Sequence, residues 1–254
     1  MSDTFRASLY TPLDIADSHT AQTLWSAINN PLISPRRFDS VERARIEFDA
    51  RSCEAARDIY STEGVLFIQG ANARFTAMFS QLTDSLSKWT FWWDLDAMVG
   101  SVGEQWLQWL YRLIRQLPPY YGLACSADEY AAKHRAVGSD DIGGATRMVG
   151  VSSADFHRFL PGVYWLTIFG AELVDHFGAA LQSLPDTRCV TISPSNMAVL
   201  LDSPAKPESM AERLRTEARL TETLGADYFF DHTEKDCERT PVPSLAQAMR
   251  EASA

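Results

Sequence analysis

The hydrophobic period changes most clearly within residues 160–184. Residues 163–169 form an apolar run rich in β-branched and aromatic side chains, which predicts a largely buried strand. Gly170 interrupts this run, and Pro185 ends the pattern that follows it. Between them the apolar residues recur at helical spacing, at Leu173, Val174, Phe177, Leu181 and Leu184. The pattern predicts a central strand that turns tightly into one amphipathic helix, which can cover a face of the same sheet.

Two large aromatic residues mark this predicted strand. Trp165 and Phe169 are separated by an even number of positions, so strand alternation places them on one face of the sheet. We expect that face to be buried under a helix.

Further strands are predicted from short apolar or alternating runs bounded by turn residues. They cover residues 64–70, 75–82, 89–95, 120–125, 189–193 and 197–202, with weaker candidates at 44–48 and 228–230. Residues 83–88 and 194–196 suit hairpin turns, which indicates antiparallel pairing. Residues 5–13 alternate only weakly, and this favours an edge strand.

Helices are predicted where apolar residues recur at helical spacing after a capping residue. They cover residues 18–28, 52–60, 104–117, 127–137, 208–224 and 244–252, with Asp17 or Ser18 and Ser126 as caps of the first and fourth. Strands occur in groups rather than in regular alternation with helices. The chain is therefore predicted to be an α+β protein, with a mostly antiparallel sheet and amphipathic helices packed on it.

Composition favours one compact domain over residues 1–254, with a polar C-terminal segment at 232–254. The chain is 46% hydrophobic and 22% charged, and no long Gly/Ser-rich or Pro-rich linker divides it. A chain of this length can bury roughly 70–75% of its unfolded surface, which is enough for a core without disulfides or metals.

The formal net charge of −10 argues against a general nucleic-acid binder, which needs a basic face for phosphate. An acidic surface favours basic partners, although solubility explains it equally well. No signal peptide or long apolar segment appears in the sequence, so no membrane contact is expected. Four widely spaced cysteines suggest reduced thiols in a cytoplasmic protein.

No catalytic, metal-binding or cofactor-binding motif appears in the sequence. The five histidines, His19, His134, His157, His176 and His232, show no compact ligand spacing. The glycine-rich segment 138–150 lacks the ending of a phosphate-binding loop. We therefore expect no enzyme activity, metal or cofactor. A cysteine–histidine nucleophilic pair that meets only in space remains open.

Trp92 and Trp93 are the aromatic candidates for partner binding. In a strand these neighbours point to opposite faces of the sheet. One is expected in the core, and the other is a candidate interface anchor because exposed tryptophans often dominate binding energy. Core packing of both is the simpler alternative.

The motif Gly162-Val163-Tyr164-Trp165, followed by Phe169-Gly170 and an amphipathic helix, resembles the signature of the Immunity protein 52 family. The resemblance implies a bacterial immunity protein that binds and neutralises a toxin without catalysis. Such toxins are typically type VI secretion effectors or other polymorphic toxins. The implied partner is a cytosol-acting nuclease effector, of restriction-endonuclease-like type. The resemblance is sharpest over residues 160–177 and supplies no catalytic residue.

Taken with this resemblance, two acidic groups become candidate contacts to a basic toxin surface. They are Asp140 and Asp141 in segment 138–150, and Asp231, Glu234 and Asp236 near the C-terminus. Each group also fits an ordinary solvated surface.

Two other functions remain open at the level of sequence. One is a small cytosolic hydrolase or transferase with an unrecognised His/Asp/Cys site, which a dense cluster of these residues in one pocket would favour. The other is a structural or regulatory interaction module. A toxin encoded by the neighbouring gene would favour immunity over both.

Overall fold

Ten strands form one sheet in the computed structural model, which describes residues 4–49, 51–134, 159–201 and 210–230. The strands are β1 (Thr4–Thr11), β2 (Pro35–Asp39), β3 (Ile46–Glu47), β4 (Val65–Gly70), β5 (Thr76–Thr83), β6 (Leu86–Asp94), β7 (Tyr121–Ser126), β8 (Leu166–Phe169), β9 (Thr187–Ser193) and β10 (Asn196–Leu201). Their order is β3-β2-β4-β5-β6-β1-β7-β8-β10-β9, and all neighbouring strands are antiparallel. This confirms the predicted α+β fold.

Seven α-helices accompany the sheet within the described ranges. They are α1 (Ser18–Ile28), α2 (Cys53–Glu63), α3 (Gly100–Gln116), α4 (Ala127–His134), α5 (Ala171–Phe177), α6 (Ala179–Gln182) and α7 (Met210–Leu224). Two predicted caps are confirmed by their hydrogen bonds. The Asp17 carboxylate accepts from the Thr20 amide at 2.8 Å, and the Ser126 hydroxyl accepts from the Glu129 amide at 3.1 Å.

One face of the sheet, called here the α3 face, carries the aromatic core. Phe5 of β1 is paired in register with Trp93 of β6, and the Trp93 ring stacks on Trp106 of α3 at 4.6 Å. The indole of Trp109 in α3 donates to the Ala27 carbonyl of α1 at 3.0 Å, which joins these two helices. Burial of these large rings stabilises this layer because it removes apolar surface from water and allows stacked and edge-to-face contacts between rings.

The opposite face, called here the α4 face, is covered unevenly. Over β7 and β8 it packs against α4 and α5, and the Phe169 ring meets Phe177 of α5 at 5.7 Å. Over β4, β5 and β6 the strands alternate between buried positions and half-buried ones. The half-buried side chains there include Phe67, Met78 and Trp92. This part of the face therefore still presents apolar and aromatic surface.

β1 is not the predicted edge strand, because it lies between β6 and β7 in the middle of the sheet. Its alternation looked weak because polar residues occupy interior positions. Ser8 and Thr11 both have no exposed surface. The hydroxyl of Ser8 lies 3.3 Å from that of Thr90, and the Thr11 hydroxyl accepts from the Leu13 amide at 3.1 Å. These hydrogen bonds offset the cost of burying the hydroxyls.

The predicted central strand and its helix are both shorter than expected. The strand begins only at Leu166, and the helix after Gly170 is divided into α5 and α6. Gly178 separates the two helices with a φ of 51° and a ψ of −126°, a conformation that residues with a Cβ rarely adopt. Gly64, whose φ is 68°, likewise ends α2 in the left-handed region.

Trp165 and Phe169 do not share a face, so that prediction is wrong, although both side chains are buried. The Trp165 ring contacts Phe5 at 5.4 Å, on the side of the α3 face, whereas the Phe169 ring contacts Tyr121 and Phe177. Because Trp165 precedes the strand, its direction is not set by strand alternation.

The remaining differences concern short elements. β2 was not predicted, and β3 is only two residues long. Residues 228–230 form no strand of the sheet; Ala226–Tyr228 is a 3₁₀ turn, and Phe229 makes a single parallel bridge to Leu160. Segment 138–150, the terminal helix at 244–252 and the polar segment 232–254 lie outside the described residues.

Candidate partner-binding site

The motif that carries the family resemblance is a buried connector before β8. Gly162 has a φ of 141°, and its carbonyl accepts a hydrogen bond from the Tyr121 hydroxyl at 2.6 Å. The Tyr164 amide donates to the Thr167 hydroxyl at 2.9 Å. Gly170 is the N-cap residue of α5 and lies where an added Cβ would overlap the backbone carbonyls of Pro119 and Tyr120. The motif residues thus serve close backbone packing.

Four charged residues pack against this connector in an alternating cluster. Lys133 of α4 places its ammonium 3.0 Å from Glu129 and 3.1 Å from Glu217 of α7. Arg213 of α7 lies 3.7 Å from the other Glu129 oxygen. The side chains of Lys133, Glu129 and Arg213 are at most 2% exposed, and that of Glu217 is 16% exposed. We call these four residues the charged cluster.

The charged cluster also binds the backbone of the motif. The Lys133 ammonium donates to the Val163 carbonyl, and the Val163 amide donates to Glu217 at 3.0 Å. The ammonium lies 4.3 Å from the centre of the Tyr164 ring, within range of a cation–π contact. The cluster therefore joins α4, α7 and the motif, which lie far apart in sequence.

The pKa values in the cluster show how burial and pairing compete. Burial alone lowers the pKa of the Lys133 ammonium, but the charges of Glu217 and Glu129 outweigh burial and raise this pKa above its ordinary value. Burial raises the pKa of Glu217, and the charge of Lys133 opposes that rise only in part. Lys133 therefore offsets part of the cost of burying the Glu217 carboxylate.

Sequence reasoning missed this cluster, although a signal was present. Glu129 and Lys133 are four residues apart, and so are Arg213 and Glu217, which places each pair on one side of its helix. Such pairs usually lie on solvated helix surfaces. Nothing local indicated that these two would face each other in the interior.

Replacing Gly162 by alanine is expected to destabilise the fold by about 2–4 kcal/mol, because the backbone is strained for any residue with a Cβ and the new methyl would displace Glu217. Urea unfolding measures this change. Gly64→Ala is the matched control, since its positive φ is strained but its added Cβ would meet nothing within 4 Å. Equal losses of unfolding free energy in the two variants would contradict the expectation that the clash with Glu217 adds to the cost of the strained backbone.

The two candidate tryptophans have different environments. Trp93 is 2% exposed and stacks on Trp106, so it belongs to the core and offers no surface for a partner. Trp92 is half-buried on the α4 face. Of the two, only Trp92 therefore remains a candidate interface residue.

Trp92 belongs to a group of cationic and aromatic side chains that the sequence did not reveal. The Arg6 guanidinium lies 3.9 Å from the Tyr130 ring centre and 5.6 Å from that of Trp92. Lys88 lies 5.1 Å from the centre of the Tyr10 ring. We call Arg6, Lys88, Trp92 and Tyr130 the cationic–aromatic patch. The signal was available only through the pairing of β1 with β6 and the packing of α4 on β1, because these residues are spread over positions 6–130.

Asp140, Asp141, Asp231, Glu234 and Asp236 all lie outside the described residues. Of the other acids near the patch, Asp94 pairs with Arg74 at 2.8 Å.

The cysteines that the structure describes are all free. Burial raises the pKa of Cys53, Cys125 and Cys189, so these thiols are poorly ionised at neutral pH and are weak nucleophiles. Within the described ranges, no group of His, Cys, Asp and Glu side chains could hold a metal ion. In the same ranges, none of the helices has the length and apolarity needed to cross a bilayer.

Comparison with known proteins gives one informative result. No family model matches the chain, and no curated protein sequence matches it. Among solved structures, the fold is similar to that of the Pseudomonas aeruginosa T6SS protein PA0821, with a TM-score of 0.55 and 15% sequence identity over 98% of this chain and 82% of that one. At this identity the likeness shows the fold, and the chain therefore shares its overall architecture with a protein of the type VI secretion system (T6SS).

Proposed function

We propose that this protein is an immunity protein of a type VI secretion system, which binds and neutralises a cognate toxin without catalysis. The observation that supports this most is the fold likeness to a T6SS protein, which extends over 98% of this chain. The motif at Gly162–Trp165 and Phe169–Gly170, which resembles the Immunity protein 52 signature, points in the same direction. The proposed toxin is a cytosol-acting nuclease, and the proposed site of action is the cytoplasm.

The described surface fits a binding protein in one specific respect. Trp92, Tyr130 and Arg6 belong to the residue types that most often dominate protein–protein binding energy. They project from strands and a helix rather than from loops, so little conformational entropy would be lost on binding. A rigid patch of this kind suits inhibition by direct contact with the toxin.

Co-expression tests the proposal. The toxin encoded by the neighbouring gene is induced in a susceptible bacterium, with and without this chain. We expect growth only when the chain is present, and a stable complex with a catalytically inactive toxin variant in size-exclusion chromatography. Toxicity that the chain leaves unchanged, together with no complex, would contradict the proposal.

Protection is expected to require neither a metal nor a cysteine nucleophile. Replacing Cys53, Cys125, Cys189 and Cys237 by Ala or Ser should leave complex formation intact in variants that fold, because binding alone would neutralise the toxin. Addition of a chelator to the purified complex should not release the toxin. Loss of binding on chelation, with the circular dichroism spectrum retained, would refute this expectation.

A further inference from the structure

The cationic–aromatic patch has a regular arrangement across β1 and β6 on the α4 face. The cross-strand pairs are Arg6 with Trp92, Ser8 with Thr90, and Tyr10 with Lys88. The Arg6 Nε donates to the Ser8 hydroxyl at 3.1 Å, and this hydroxyl lies 3.3 Å from that of Thr90. Two cations therefore lie at opposite ends of a short row of buried hydroxyls.

Neither cation is neutralised by the part of the protein that the structure describes. Other cations there, such as Arg45, Arg74 and Lys133, each form an ion pair with a carboxylate. Arg6 and Lys88 form none among the described residues, and the contacts of their charged groups there include the hydroxyls of Ser8 and Tyr130 and aromatic rings. Among the described residues the patch is thus a local excess of positive charge, on a chain whose formal net charge is −10.

This unneutralised charge costs stability. Burial, and secondarily the nearby charge of Arg6, lowers the pKa of Lys88 from its ordinary value of 10.5 to about 8. A lowered lysine pKa means that the charged form is less stable in the folded state than in the unfolded chain. A half-buried cation that is retained at such a cost is typical of a functional site rather than of a stabilising contact.

The surroundings indicate what kind of ligand would compensate this charge. Phe67, Met78 and Trp92 are half-buried on the same face, and Tyr130 stacks against Arg6. A patch of aromatic and Met side chains with an arginine is the composition expected at the centre of a protein–protein interface. Phosphate of a nucleic acid is the less favourable occupant, because the negative net charge of the chain repels a polyanion.

We propose that Arg6 and Lys88 form a carboxylate-binding site, which receives an aspartate or glutamate side chain of the protein partner while Trp92 packs beside it. This inference rests on the proposed function, since it assigns the chemistry by which the toxin is held. A nuclease centre that binds divalent metal ions carries carboxylates. Such a centre is therefore a chemically suitable source of the acidic side chain.

Binding at this site should depend on pH through Lys88. Arg6 and Tyr10 of β1 are the ionisable groups that face Lys88 from the neighbouring strand, while β5 presents Met78 and Ser80 beside it. Burial holds the pKa of Tyr10 far above its ordinary value, so Tyr10 stays neutral. A bound carboxylate favours the charged ammonium, so affinity should be full below the free pKa of about 8 and should fall as pH rises above it.

The decisive experiment compares Lys88→Met and Lys88→Arg in binding to the inactive toxin variant. Lys88→Met should weaken binding at least about tenfold at neutral pH. Lys88→Arg keeps the charge at all accessible pH values, so it should bind at neutral pH about as the native chain does. Between about pH 7 and about pH 9.5 the native affinity should fall relative to that of Lys88→Arg, towards the affinity of Lys88→Met. Arg74→Met is the matched control, because it removes a nearby cation that Asp94 already neutralises.

A second measurement tests the site without the toxin. The chain has only four lysines, Lys88, Lys133, Lys206 and Lys235, so acetylation of each can be followed by mass spectrometry. Lys88 should react much faster than the buried, paired Lys133 at neutral pH, because its pKa is lower. Poly-L-glutamate should slow acetylation of Lys88 several-fold, whereas inorganic phosphate at matched ionic strength should not.

The outcomes separate this inference from the proposed function. If the native chain binds the toxin and Lys88→Met binds equally well, the carboxylate site is refuted and the proposed function stands. If no toxin binding occurs, the proposed function fails. The carboxylate site is then supported if poly-L-glutamate slows acetylation of Lys88 and refuted if it does not. Equal protection by phosphate would overturn the assignment to a protein carboxylate.

Discussion

Replacing Lys133 by methionine is expected to destabilise the protein by about 3–5 kcal/mol, because it leaves two carboxylates in the interior without their shared cation. Lys133 lies 3.0 Å from Glu129 and 3.1 Å from Glu217, and its side chain is 1% exposed. It also donates to the Val163 carbonyl, which would be left without this donor. In a chain of this size the loss should lower Tm by roughly 10 °C.

The pH dependence of this contribution follows from the pKa of Lys133. That pKa lies above its ordinary value of 10.5 in the folded protein, because the neighbouring carboxylates outweigh burial. The stabilisation is therefore fully present below that ordinary value and is lost as pH rises through the higher folded value. In the native chain the contribution of Lys133 should accordingly not change with pH over the neutral range.

Two further variants show whether uncompensated charge is the cause. Arg219→Met removes an ion pair with Asp186 from the surface of the same helix as Glu217, where the two side chains are 51% and 69% exposed, and should cost less than about 1 kcal/mol. A quadruple variant, Glu129→Gln, Lys133→Met, Arg213→Met and Glu217→Gln, removes all four charges and should recover much of the loss. A Tm of Lys133→Met equal to that of the native chain would refute the explanation.

Trp165→Ala is expected to cost about 3–5 kcal/mol through the cavity it leaves. The Trp165 side chain is 6% exposed and meets the Phe5 ring edge-on at 5.4 Å. Since Phe5 also contacts Trp93 at 5.0 Å, the loss should loosen the aromatic layer between the sheet and α3. We expect less soluble protein and a lower urea midpoint.

The control for this substitution is Trp92→Ala, which removes the same side chain from a half-buried position on the other face of the sheet. It should cost clearly less stability, because part of the ring already contacts solvent. If both variants unfold at the same urea concentration, the placement of Trp165 in the core is refuted.

The sequence predicted those parts of the fold that depend on the local spacing of apolar residues and on capping and turn residues. The stripe of α3, the caps Asp17 and Ser126, and the hairpin between β9 and β10 were all visible in it. Element type follows from such local patterns because side chains repeat every two or 3.6 residues. The position of a strand within a sheet does not, and for this reason β1 was placed at an edge.

The candidate site was less predictable for the same reason. The position of Trp92 on the other face of the sheet follows from alternation once Trp93 is placed in the core. In contrast, Arg6 and Lys88 meet only because β1 pairs with β6, and Lys133 meets Glu217 only because α4 packs near α7. Contacts between residues so far apart in sequence carry no local signal in a single chain.

The central position of β1 has a consequence for biosynthesis. On the ribosome this strand leaves the exit tunnel well before both of its neighbours, since Phe5 pairs with Trp93 of β6 and with Ser126 of β7. Until roughly a hundred more residues have been translated, its apolar side chains and both of its hydrogen-bonding edges have no native partner. Nascent chains should therefore be exposed to chaperones and to mispairing throughout this interval. Slower translation before β6 would lengthen that interval, whereas slower translation after β7 would not.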